Sequence, residues 1–264
     1  MKIINKKSMI LLIIISIFLL NTSKTYATGS KEIVKLALDK QNLHQNSYII
    51  EMNCTVTEKV KDKDKINDGE ETETNSSALR VYIYNGGERQ MVTFTAPEDL
   101  VDNKFLIIGT NNWMSKKNLR RPIRISGQQR IFGDAGIGET VGINYYRDYD
   151  VKEFHEVEDS YIIDLLAKDE KTTYQQVKLT ISKDTNSIKC VILKAVSGTP
   201  LKELNYKNHR KIGNHEVADI VIKNLLQDQD RVTELKYIGI QVKELSPRVF
   251  QPLMMSRFDL LIKD

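Results

Sequence analysis

The side chains best able to do chemistry in this 264-residue chain are four histidines, two cysteines and a glycine-rich run, and none is spaced for a known catalytic task. His44, His155, His209 and His215 include no i, i+4 pair, and neither HExxH nor HxH occurs. His209 and His215 flank a turn, but a zinc site there would need further ligands that the sequence does not place. Cys54 and Cys190 are not spaced for zinc. They read as two buried thiols, with a bridge the alternative in an oxidising compartment. Gly133-x-x-Gly136-x-Gly138 lacks the Lys-Ser/Thr of a phosphate-binding loop and reads as a flexible lid. Gly138-Glu139-Thr140-Val141-Gly142 has Thr where a nucleophile elbow needs Ser. Most carboxylates lie in turns. Asp164, inside the apolar run Tyr161 to Leu166, is expected to alternate outward. The chain is therefore expected to bind rather than catalyse, with no metal and no cofactor.

The N-terminus narrows where that binding occurs. Lys2 to Lys7 is basic, Met9 to Leu20 is a 12-residue apolar run, and Thr25-Tyr26-Ala27 is a small-x-small site. This is the pattern of a cleaved secretory signal over residues 1–27, and the run is shorter than the ~20 residues of a spanning helix. No cysteine follows the cleavage site, so there is no lipobox. Four of the 39 Lys+Arg belong to the signal, and the remaining 35 balance 35 Asp+Glu. A mature chain of net charge zero has no overall footprint for nucleic acid or for an anionic surface. Residues 28–264 are read as one domain.

The elements that would position a site are mostly strands. Ser30 to Gln41 reads as a capped helix with Ile33, Leu36 and Ala37 on one face. Ser47 to Val60 alternates, and Lys59 to Ser77, highly charged, reads as a hairpin tip or weakly ordered insertion. From Ala78 onward, alternating segments separated by polar turns, among them Asn85-Gly86-Gly87, predict about ten strands in one antiparallel sheet. Gln129 to Asp150 breaks the rhythm with four glycines and reads as a loop with short helical turns. Ser246 to Leu253 reads as a short helix or extended arm. A sheet of that size curls, and the N-terminal helix and the 129–150 segment are available to cover its concave face. The fold class expected is mainly β (α+β), a curved antiparallel sheet forming a half-open barrel.

Residues 80–150 carry a family resemblance. The strand Glu88 to Thr95 running into Ala96-Pro97-Glu98-Asp99, the apolar Phe105-Leu106-Ile107-Ile108, Trp113, the segment Arg120-Arg121-Pro122-Ile123-Arg124-Ile125 and Phe132-Gly133-Asp134 with Ile137 and Gly138 resemble the periplasmic outer-membrane lipoprotein-sorting proteins, the LolA-like family. The stretch from Lys236 to Arg257 is similar to that family's final strand and aromatic tail. The chain departs from the pattern in its longer 59–77 insertion and at Met114-Ser115-Lys116-Lys117, where the broad branch of that family which it most resembles often has an aromatic-Pro pair.

The resemblance implies a periplasmic carrier whose half-barrel holds acyl chains, with Val92, Phe94, Phe105, Ile107, Trp113, Ile131, Phe132 and Ile137 in the cavity or lid. Arg120, Arg121 and Arg124 are expected at a polar rim. The implied partners are an acylated lipoprotein or other lipid, an inner-membrane transporter as donor and an outer-membrane acceptor, with no nucleic acid. The alternative is an envelope sensor or partner-binding module on the same fold. A lipid hydrolase is the weaker third reading, for want of a catalytic constellation.

Overall fold

A computed structural model describes residues 29–41, 43, 46–61, 70–227 and 230–262. The expected signal lies outside them. Among the described residues, no helix is long and apolar enough to cross a membrane.

The chain after the helix α1 (residues 29–39) builds β1 (Tyr48–Lys61), β2 (Glu70–Tyr84), β3 (Arg89–Ala96), β4 (Lys104–Ile108), β5 (Asn111–Ser115) and β6 (Ile123–Ile125) as a meander. It then leaves the sheet through β7 (Arg130–Phe132), β8 (Ala135–Gly136), α2 (Ile137–Val141) and α3 (Tyr145–Asp148). It re-enters as a second meander: β9 (Tyr149–Glu156), β10 (Ser160–Ala167), β11 (Gln176–Ser182), β12 (Ile188–Lys194), β13 (Pro200–Ile212), β14 (His215–Asn224) and β15 (Arg231–Val242). The sheet order is β6-β5-β4-β3-β2-β1-β15-β14-β13-β12-β11-β10-β9, antiparallel throughout and not closed into a barrel. The first and last strands, β1 and β15, thus pair at its centre. Since β6 and β9 are its two edges, the segment joining them must cross a whole face.

Period-two alternation decides what each face carries. Val81, Ile83, Val92, Phe94, Phe105 and Ile107 point to the inner face, where α1 and the crossover pack. Tyr82, Met91 and Leu106 point to the outer face, where the C-terminal tail covers them with Leu245, Val249, Phe250, Met255 and Phe258. Phe258 meets Tyr82 edge-on with ring centroids 4.9 Å apart, and ends the tail as α4 (Phe258–Leu261). Both faces of β3 and β4 are buried, which is why these strands read as nearly unbroken apolar runs.

Two expectations shift, and the outward phase of Asp164 holds. The sheet has 13 strands rather than about ten. Much of the 59–77 insertion is strand: β1 continues to Lys61, and Glu70 to Ser77 pair with it in register. Residues 72–76 are exposed on both faces and need no apolar alternation, so this charged run carries no strand signal. Residues 62–69 lie outside the described residues. Asp164 takes the opposite phase to buried Ile163 and Leu165, and Lys194 Nζ donates to it at 3.1 Å.

Candidate functional site

The crossover lies on the sheet because one turn lacks a side chain. Gly133 has φ +55, and a Cβ there would collide with Val56 Cγ2 and Thr233 Oγ1 on the two central strands. Only glycine accepts both the backbone conformation and the approach. The next residue anchors the turn: Asp134 N donates to Thr233 Oγ1 at 2.8 Å, and Asn224 Nδ2 to Asp134 Oδ1 at 3.3 Å. Arg130 Nη1 lies 3.4 Å from the same oxygen, while Oδ2 is buried without a hydrogen-bond partner.

Five residues on, α2 is held by a buried polar knot. The Glu139 carboxylate accepts from Gly136 N at 3.0 Å, from Lys202 Nζ at 2.7 Å and from the Tyr174 hydroxyl at 2.5 Å. Lys202 Nζ also donates to Asp134 O at 2.8 Å. The Tyr149 hydroxyl donates to Tyr174 O at 2.9 Å. Burial first, and the Glu139 charge second, hold the Tyr174 hydroxyl well above its ordinary range, so it stays a proton donor. Burial likewise raises Tyr145, Tyr149 and Tyr206. Among the described residues, the underside of the crossover therefore carries neutral hydroxyls and the ion pairs Lys202–Glu139 and Arg130–Asp134.

α1 is fixed separately, at its C-terminal end. Glu216 N donates to Lys40 O at 3.0 Å, and Lys40 Nζ lies 3.3 Å from Glu216 Oε1. Ser187 Oγ donates to that oxygen at 2.8 Å, and His215 Nδ1 lies 2.9 Å from Gln41 O. His215 also meets the Tyr48 ring edge-on at 5.2 Å.

Beside the knot a cavity of about 290 Å³ stays open, its lining including Ile107, Ile137, Tyr149 and Tyr174 together with Asn112, Arg147, Lys168 and Lys171. It lies where the crossover passes from α2 to α3, between the β4–β5 turn and the β10–β11 loop.

Of the residues singled out in the sequence, Val92, Phe94, Phe105, Ile107 and Ile137 are buried in the inner-face cluster, and Ile131 and Phe132 pack half-buried against it. Phe132 lies 6.4 Å from Phe94, ring centre to ring centre. Ile107 and Ile137 reach the cavity. Trp113 does not: it packs on the outer face against the tail, with the Arg124 guanidinium 5.4 Å from its ring. Its strand neighbour Asn112 takes the inner side. Arg120 and Arg121 are exposed on the β5–β6 connection, away from the lining. Cys54, fully buried, and Cys190, half-buried, are both free thiols. Sequence reasoning missed Glu139, Tyr174 and Lys202. The signal was available in β13, where Lys202 shares the inward phase of Leu204 and so demands a buried acid.

A family model described as "Uncharacterized protein" matches residues 86–257. The chain belongs to that family. Solved structures share its fold. A LolA superfamily protein from Nitrosomonas europaea superposes with a TM-score of 0.67 at 21% identity, covering 82% of this chain and 96% of that one. A candidate outer membrane lipoprotein-sorting protein domain from Vibrio parahaemolyticus gives 0.64 at 14% identity, over 85% and 98%. A DUF1329 family protein from Desulfovibrio piger gives 0.61 at 17%, over 84% and 96%. This family member thus has the LolA-like fold. No curated protein matches its sequence.

Proposed function

We propose that this family member is an exported, single-domain carrier (residues 28–264 after loss of signal 1–27) that shields the acyl chains of a lipoprotein or other lipid under its crossover. The observation that supports this reading is the inner face itself. Its apolar surface is covered by a segment that belongs to no strand of the main sheet and is held by a few discrete polar contacts. Each buried methylene gains about 0.8 kcal/mol, so a chain of that kind crosses water only when enclosed. The 290 Å³ cavity is the residual opening from which the crossover would lift to admit it. Part of the same proposal is transfer of cargo between envelope membranes, with a membrane transporter as donor and an outer-membrane acceptor; the likeness in fold to the lipoprotein-sorting domain supports it. No covalent step is required of the protein.

The test is native mass spectrometry with lipid extraction of the mature protein purified from its own envelope, followed by titration of the delipidated protein with a fluorescent fatty-acyl probe. About one acylated molecule per protein, displaced by the probe, supports the reading. A protein that is empty and takes up no probe overturns it.

A further inference from the structure

Charge is balanced over the mature chain but not along it. Between Asp102 and Asp134 there are seven cationic side chains and no acid. Two of the seven are spoken for: Lys104 Nζ lies 2.9 Å from Asp259, and Arg130 pairs with Asp134. The other five are Lys116, Lys117, Arg120, Arg121 and Arg124. They are exposed on β6 and the connection leading to it, and none has a carboxylate partner among the described residues. Protection of a sheet edge does not ask for this. The opposite edge, β9, is guarded by mixed charge, with Asp150, Glu153 and Glu156 beside Lys152.

The same margin exposes apolar side chains. Ile123, in the basic run, is exposed. Lys104 pairs in register with Ser115, the residue before Lys116, and its ammonium holds Asp259 of α4. The ion pair therefore sets α4 beside the start of the basic connection, and the next two residues, Leu260 and Leu261, are 67% and 44% exposed. Cations flanking exposed leucines and an isoleucine match an anionic bilayer surface: headgroup charge for the cations, the acyl boundary for the apolar groups.

We infer that the β6 edge, with its basic connection and α4, is a docking face for an anionic phospholipid membrane. The inference goes beyond the carrier reading and does not depend on what the cavity holds.

Flotation of the mature protein with vesicles of phosphatidylglycerol and phosphatidylcholine, against vesicles of phosphatidylcholine alone, tests it. The neutral vesicles offer the same acyl chains without the charge, so they separate docking from cavity uptake. The expected result is flotation with the anionic vesicles only, abolished by high salt. Each basic residue removed lowers partitioning about fivefold. Lys116→Ala, Lys117→Ala, Arg120→Ala and Arg121→Ala combined should lower it by at least about a hundredfold, with unchanged circular dichroism and melting. Leu260→Ser with Leu261→Ser should weaken it independently. Absence of flotation with anionic vesicles overturns the inference, as does equal flotation with both kinds or with the fourfold variant. Capture of an acidic protein by the same face without vesicle binding also overturns it.

Discussion

Lys202 on β13 and Glu139 on α2 meet beneath the crossover with Nζ and Oε1 2.7 Å apart, the carboxylate fully buried and the lysine side chain nearly so. They are the single ionic tie between the second meander and the helix that closes over it. Tyr174 donates to the same oxygen, so three chain segments converge on one carboxylate.

A buried pair costs most when it is halved. Glu139→Leu or Lys202→Met alone should destabilise the fold by about 3–5 kcal/mol, because the remaining charge is stranded. The double change Glu139→Leu with Lys202→Met should cost clearly less than the sum. Urea unfolding of the four proteins in a double-mutant cycle measures the coupling.

Two glycines of the crossover separate strain from contact. Gly142 has φ +86 and open space around its missing Cβ, whereas Gly133 has φ +55 and two strands in the way. Gly142→Ala should cost about 1–3 kcal/mol, from backbone strain alone, since its ψ of 134 puts it outside the left-handed helical well. Gly133→Ala should cost about 2–5 kcal/mol, strain and overpacking together. Equal losses in denaturant midpoint would contradict the close seating of the turn.

Phe132 sits half-buried at the tip of the β7–β8 hairpin, over Phe94. Phe132→Asp should abolish uptake of an acyl probe at pH 7 while the protein keeps its cooperative unfolding transition. Probe titration and thermal melting read the two effects separately.

The α1 clamp should loosen in acid. Burial works against the Glu216 charge, but the Ser187 and Lys40 hydrogen bonds outweigh it and leave its pKa below the ordinary 4.5. A carboxyl depressed on folding contributes stability above its unfolded pKa and loses it as pH falls through the folded value. Hydrogen exchange of α1 should therefore rise as pH drops below about 4.5, after correction for intrinsic rates. Glu216→Gln should show the faster exchange already at pH 7.

Burial pushes the Cys54 thiol up to about 12. At pH 8 its thiolate fraction is about one in ten thousand, so iodoacetamide should label half-buried Cys190 first and Cys54 only on unfolding. Peptide mass spectrometry after timed labelling checks the order.

The sheet was legible in the sequence where one face is wet and the other dry. Leu79 to Tyr84, the Asn85-Gly86-Gly87 turn and the later hairpins all announce themselves by alternation. The far end of the β1–β2 ribbon, within residues 59–77, did not, because its charged run carries no apolar period. Trp113 was assigned to the wrong face for the opposite reason. In β3 to β5 both faces are covered, and alternation fixes which residues share a face without saying which face holds the cavity. Of the site, Gly133, Asp134 and Ile137 stood out as a motif. The Glu139–Lys202–Tyr174 knot joins residues up to 63 positions apart and becomes visible only when the topology brings β13 under α2.

The chain's path gives the crossover a mechanical character of its own. Its two ends are spliced into opposite margins of the sheet, and its middle rests on the seam where the first and last strands pair. It is a strap across a bow. Slackening it breaks the knot, the Gly133 seat and the apolar contacts of Ile131, Phe132 and Ile137 with the inner face, but needs no rung of the strand ladder to open. On the proposed carrier reading, cargo would reach the inner face by lifting this strap, with no strand leaving the sheet.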